Sequence, residues 1–255
     1  MTRPKAFTER EDDSLTEFEP LLQMLSHRDV LSDYERELVA GLKRRIVRIP
    51  KGGELVATHS RPSESCLVLQ GFTAREVYLK SGERQITAIH VPGDFVDLHA
   101  LTLKTMDHSV VALSDCEAAF VPHGELLRVI EKSQHLGRLF WLSTVIDAAI
   151  QRAWIAGIGR RSSVEHLGHL VCELFCRLEA VGLTDGQSFK FPITQPELAD
   201  ILGLSLVHVN RTLQDLRRRG LIVWKGGTLT VPDLKQLAAM ADFDPTYLNL
   251  VVEPR

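Results

Sequence analysis

The chain has 255 residues, 30 of them Lys or Arg and 33 Asp or Glu, for a formal net charge of −3. That length and composition describe one large or two modest globular domains. They exclude a membrane-spanning helix, since no apolar run approaches the roughly 20 residues a bilayer needs. The charged start "RPKAFTEREDD" lacks the apolar core of a signal peptide, and four cysteines in such a chain suggest reduced thiols in a cytoplasmic protein.

Charge is unevenly placed. Residues 1–20 hold Arg3, Lys5 and Arg10 against six carboxylates, whereas Gly203–Gly220 holds Arg211, Arg217, Arg218 and Arg219 against Asp215 alone. A mildly acidic total therefore does not exclude a local basic surface.

Residues 1–14 read as a disordered acidic leader. A short helical region follows over about Leu15–Leu42, anchored by Leu21, Leu22, Leu25, Leu38 and Leu42. From Ile46 to about Pro122 the apolar period becomes two, in short strands broken by Gly-Gly, Ser-Gly, Pro-Gly-Asp and Ser-Asp turns. Regular short strands with that punctuation predict a β-roll or barrel rather than βαβ units. Cys66 and Cys116 fall in these strands and read as core.

Helix returns at Gly124. Leu139, Leu142, Ile146, Ala149, Ala153 and Ala156 recur at alternating three- and four-residue steps, the pattern of a heptad seam. Trp141 and Trp154 on this helix read as packing residues between domains, and "GIGRR" as the break and hinge. Ser162 and Glu165 make a capping pattern for a further helix with a Val164, Leu167, Leu170, Val171, Leu174, Leu178, Val181 stripe.

The segment "ITQPELADILGLSLVHVNRTLQDLRRRGLI" carries the most information. Thr194 and Glu197 form a capping box for a helix over about Gln195–Leu202, with Leu198, Ala199 and Leu202 inward. Gly203 turns the chain, Ser205 caps a second helix with Leu206, Val209, Leu213 and Leu216 inward, and Gly220 ends it. Two short helices joined by a Gly-containing turn predict a helix-turn-helix, and "LIVW-KGG-LTV" predicts a wing. Ser205, His208, Asn210, Arg211 and Gln214 lie where a recognition helix meets base edges, which Arg and Asn match with paired donors and acceptors. Thr194, Gln195, Arg217, Arg218 and Lys225 are candidates for DNA phosphates.

This order resembles the cyclic-AMP receptor/FNR superfamily of bacterial regulators over nearly all the chain after about residue 20. "PKGGELV", "LVLQGFTAREVYLKSGERQITAIHVPGDF" and "GIGRR" carry the rest of the likeness. The resemblance implies an α+β fold with a cyclic-nucleotide-binding-like β-roll, a long dimerisation helix and a C-terminal winged helix-turn-helix. It also implies a homodimer on a near-palindromic operator with half-sites about 34–36 Å apart, and RNA polymerase as a partner if the protein activates. The domains are set at 1–20 (leader), 21–134 (effector-type roll), 135–158 (dimerisation helix), 159–240 (winged helix-turn-helix) and 241–255 (tail).

The departures from the family pattern matter as much. Cyclic-AMP-binding members carry Gly-Glu after "PGDF" and a later Arg-Ser pair; this chain has Asp97-Leu98-His99 and Asp107-His108-Ser109. Without arginine opposite Asp107, an anionic cyclic phosphate is not the expected ligand. The N-terminal cysteine cluster of FNR-type oxygen sensors is absent, and Val207 stands where FNR-like readers have glutamate.

His90, His99 and His108 with nearby carboxylates, and His169, Cys172 and Cys176 on one helix, are low-weight metal or redox candidates; satisfied core residues are the plainer alternative. No cofactor is assigned and the effector stays open. No P-loop, Gly-x-Ser-x-Gly, His-Glu-x-x-His or dinucleotide fingerprint points to an enzyme. The leading expectation is a sequence-specific DNA-binding regulator. A metal- or redox-responsive form of it, and a protein-interaction module that does not bind DNA, are the alternatives.

Overall fold

The computed structural model describes residues 9–10 and 15–255. The disorder expected of the remainder of 1–14 lies outside the described residues. The chain forms two compact units, one of Met1–Val77, Ile89–Val145 and Val251–Arg255, the other of Tyr78–Ala88 and Ile146–Leu250.

β1 (Glu9–Arg10), α1 (Glu19–Ser26) and α2 (Asp33–Ala40) precede seven strands: β2 (Arg45–Ile49), β3 (Glu54–Val56), β4 (Glu64–Gln70), β5 (Thr73–Tyr78), β6 (Arg84–His90, of which Arg84–Ala88 is counted with the second unit), β7 (Ser109–Ala112) and β8 (Cys116–Pro122). They form two sheets ordered β1-β2-β8-β4 and β3-β7-β5-β6, the roll that the period-two pattern predicted. Antiparallel register sets Ala118 of β8 between Val47 and Val68, and these join Cys66, Val96, Met106 and Val110 in one buried core. A second core lies under the helices, where Leu22, Leu25 and Val39 meet Leu126 and Val129 of α3 (His123–Lys132). Leu136, Leu139 and Phe140, from the start of α4 (Gln134–Arg160), complete it.

The second unit is built around α5 (Ser163–Ala180), which starts at the Ser162–Glu165 capping box. The stripe expected for α5 is joined by the opposite face, in line with the plainer reading of His169 and Cys172 as core residues. His166, Leu167, His169, Cys172, Glu173 and Leu174 are all buried, because several elements pack around one helix. Glu173 is fully buried and is held by three donors: Trp154 Nε1 of α4 at 3.0 Å, Tyr247 Oη at 2.8 Å and Arg177 Nη1 at 3.2 Å. Burial pushes its carboxyl up, opposed first by the Arg177 charge. Losing one donor from such a site costs about 1–3 kcal/mol.

Three expectations change here. "GIGRR" does not break the helix, since α4 runs to Arg160. Gly157 is there for close packing: a Cβ would lie 2.6 Å from the His166 ring, and a helix tolerates glycine for about 1 kcal/mol. Residues 241–255 are not a simple tail. Ala241 and Leu248 are buried, and Phe243 and Tyr247 enclose the His169 ring at 5.1 and 5.7 Å between centroids. Trp141 and Trp154 also part company, Trp141 being 71 % exposed while Trp154 is buried against Glu173.

The residues expected to form a seam on α4 are covered in part by their own chain. Leu139 and Ile146 are buried within their own chain and Leu142, Ala149 and Ala153 are partly covered. The face left open carries Trp141, Val145, Ala148, Arg152 and Ile155 at steps of four and three. The open set is the expected one displaced by one residue, about 100° around a helix. Periodicity reports an apolar face; it does not say which of two faces the chain itself covers.

The buried imidazoles make the second unit acid-sensitive. Burial, aided by the Arg161 charge, lowers both His166 and His169 from the usual 6.5 to about 4. An unfolded imidazole binds its proton near pH 6.5, whereas the folded ones wait until about pH 4. The stability they lend is therefore complete above pH 6.5 and is lost as pH falls toward 4. Urea unfolding at pH 5 should show about 1–2 kcal/mol less stability per ring than at pH 7.5. His169→Phe should remove part of that difference.

Candidate nucleic-acid interface

A four-stranded sheet in the order β11-β12-β10-β9 carries the wing. Its members are β9 (Thr184–Asp185), β10 (Ser188–Lys190), β11 (Val223–Lys225) and β12 (Thr228–Thr230). Gly226 and Gly227, at φ 59° and 72°, make the two-residue turn between β11 and β12. Both need the left-handed backbone that a tight hairpin demands.

The two helices of the motif are α6 (Gln195–Leu202) and α7 (Leu206–Arg218). Both capping predictions hold in the geometry. Thr194 Oγ1 accepts from Glu197 N while Glu197 returns a carboxylate to Thr194 N at 2.6 Å, and Ser205 Oγ accepts from His208 N at 3.3 Å. Gly203 closes α6 in the left-handed region at φ 64°. Val209, Thr212, Leu213 and Leu216 form the inner face of α7. Leu206, expected inward, is 45 % exposed. It sits in the first turn, before the helix passes over the core.

The opposite face of α7 is an open ridge. Val207, Arg211, Gln214 and Arg218 lie at i, i+4, i+7 and i+11, all exposed, with His208 beside them. Among the described residues, the Arg211, His208 and Gln214 side chains make no hydrogen bond or ion pair within the chain. Asn210 stands on the flank, half-buried, with Nδ2 donating to the Leu206 carbonyl at 3.1 Å. One of its amide hydrogens is therefore committed to the helix. Ser205 is exposed but its oxygen serves the cap.

The phosphate candidates converge only in part. Thr194, Gln195, Arg217 and Lys225 line one cavity of about 430 Å³ with Trp224, Gly226 and Gly227. Arg217 is steadied there by donating to the Trp224 carbonyl at 3.3 Å. The Thr194 hydroxyl donates to Glu197 at 2.8 Å, so it serves the cap. Arg218 and Arg219 both pair with Asp215, at 2.6 and 2.7 Å. These surface pairs are worth at most about 1 kcal/mol, so a phosphate can displace them. The two wing glycines were not singled out by sequence reasoning, although "KGG" marks the turn that brings them into this cavity.

Of the effector positions, Asp97, Leu98 and His108 are buried, His99 and Ser109 are half-buried and Asp107 is exposed. Asp97 is 1 % exposed and accepts from Cys66 N at 2.7 Å. Burial raises its carboxyl to about 7 against the opposing Cys66 hydrogen bond and the nearby charge of Arg75. Arg75, itself buried on β5, donates to the Val96 carbonyl at 3.3 Å. It was missed because an arginine in a strand pattern reads as solvent-facing. Leu98 is buried, and His108 holds the exposed Asp107 at 2.7 Å and approaches His99 at 5.4 Å between rings. The Ser109 hydroxyl accepts from Thr58 N.

Among the described residues no group of three or more His, Cys, Asp or Glu side chains is arranged to hold a metal. His90 is buried in the roll, and His169 stacks on Tyr247. Burial pushes the thiols of Cys172 and Cys176 up to about 12 and about 11, far from the thiolate that redox chemistry requires.

Comparison with known proteins gives the same two parts. Residues 46–133 match the cyclic nucleotide-binding domain and residues 169–240 the Crp-like helix-turn-helix domain. A probable transcriptional activator of Rhizobium leguminosarum bv. viciae is 28 % identical over 206 residues, covering 80 % of this chain and 84 % of that protein. The transcriptional activator protein FnrL of Cereibacter sphaeroides is 25 % identical over 207 residues, covering 79 % and 83 %. The solved structure of FixK2 from Bradyrhizobium japonicum superposes with a TM-score of 0.70 at 21 % identity, covering 78 % of this chain and 98 % of that one. No helix among the described residues is long and apolar enough to cross a membrane.

Proposed function

The chain is homologous to the transcription regulators of the Crp/FNR family, with their helix-turn-helix DNA-binding domain, and from that premise we propose that it reads a near-palindromic operator as a homodimer. The observation that carries the reading is the exposed ridge of α7, with Arg211, His208 and Gln214 unengaged at the end where base edges are met. An Arg fork suits guanine O6 and N7. The cavity between the wing and the start of α6 supplies Arg217 and Lys225 for backbone phosphates.

The open heptad face of α4, from Trp141 through Val145 and Ala148 to Ile155, is the proposed contact between two copies. Trp141 and Ile155 are 71 % and 69 % exposed, and Val145 43 %. Covering such side chains is worth about 1.5–3 kcal/mol each. The effector of the roll is proposed not to be cyclic AMP, since Asp97 and Asp107 stand at the family's ligand-contact positions. The relatives' names as activators support RNA polymerase as a partner and the cytoplasm as the site of action.

Fluorescence anisotropy with a labelled duplex pool at several salt concentrations tests the proposal. Affinity should fall steeply with salt, and Lys225→Ala should weaken binding to all duplexes and lower the salt slope by about one. A wild-type protein with no salt-dependent binding would refute it.

A further inference from the structure

One member of the reading ridge has no polar group. Val207 is 71 % exposed in the first turn of α7, one helical turn before Arg211 on the same face. Leu206, its apolar neighbour, points about 100° away and is less open at 45 %. An isopropyl group on this ridge neither donates nor accepts a hydrogen bond. Polar groups line the major-groove edges of the bases, with one exception, the C5 methyl of thymine.

We propose that Val207 is a specificity-determining residue that packs on the C5 methyl of a thymine beside the guanine read by Arg211. This deepens, and rests on, the proposal that α7 enters the major groove. Side chains at i and i+4 on a helix are separated by about 5–6 Å at Cβ, and base pairs by about 3.4 Å. The thymine therefore lies one or two base pairs from the guanine. Close contact dehydrates the valine and the methyl together. Cytosine at the same place offers an amino group and no methyl, leaving that donor without an acceptor opposite valine.

The test uses full-length protein and duplexes it selects from a random pool. Each thymine of the half-site is replaced in turn by deoxyuridine, which removes only the methyl. One position, within two base pairs of the guanine, should lose affinity by about three- to tenfold. Val207→Ala should bind the thymine and uracil duplexes nearly alike, while Arg211→Ala keeps the difference. Val207→Glu should change the preferred base there to cytosine, whose amino group a carboxylate accepts. Val207 is exposed, so neither change at this position disturbs the core. Uracil tolerated at every position while Arg211→Ala still loses discrimination overturns the Val207 assignment and leaves DNA reading intact. A wild-type protein that binds every duplex alike overturns both.

Discussion

Arg211→Ala is expected to cost about 1–3 kcal/mol per half-site and to relax preference at one base position, with little effect elsewhere. The side chain is exposed and, among the described residues, makes no hydrogen bond or ion pair of its own. Its removal therefore leaves the fold unchanged, and any loss is a loss of recognition. Arg211→Lys separates the two parts of the role. Lysine keeps the charge but not the planar fork, so it should restore nonspecific affinity and not base preference. Competition binding with single-base operator variants reads both. Equal losses on every sequence would make Arg211 a phosphate contact instead.

A charge on the open face of α4 should have the larger effect on assembly. Ile155→Glu replaces an apolar contact on each copy by a carboxylate, and burying that charge costs more than Arg152, three residues earlier on the same face, returns. Sedimentation at micromolar concentration should give a monomer. Operator affinity should then fall by about 100- to 10,000-fold, because linked binding of the second half-site is lost. Ile146→Glu provides the contrast. Ile146 is 6 % exposed within its own chain, so that variant should lose thermal stability rather than only its partner. A dimeric Ile155→Glu protein would show that this face does not join the two copies.

Much of the DNA-binding unit was legible in the sequence because its signals are local. A capping Thr194, a left-handed Gly203, a capping Ser205 and a stopping Gly220 each act within a few residues, and all four stand where the pattern set them. The strands of the roll were legible by their period. What sequence reasoning missed depends on contacts far apart in the chain. Nothing local announces that Tyr247 completes the bonds of Glu173, that Gly157 makes room for His166, or that Arg75 neighbours Asp97. On α4 the heptad period does not show that Leu139 and Ile146 are covered by the chain itself while the neighbouring face, one residue away, stays open. The pairing of Arg218 with Asp215 three residues earlier is an exposed contact that a phosphate can displace.

On the proposed function, paired copies of the α7 ridge read sequence in duplex grooves. Selection of duplexes from a random pool by the full-length protein tests it most directly. The expected product is a near-palindrome with half-site centres about 34–36 Å apart and a guanine at the same place in each half. A pool that stays random after repeated rounds, or that converges on a single unpaired half-site, would contradict it.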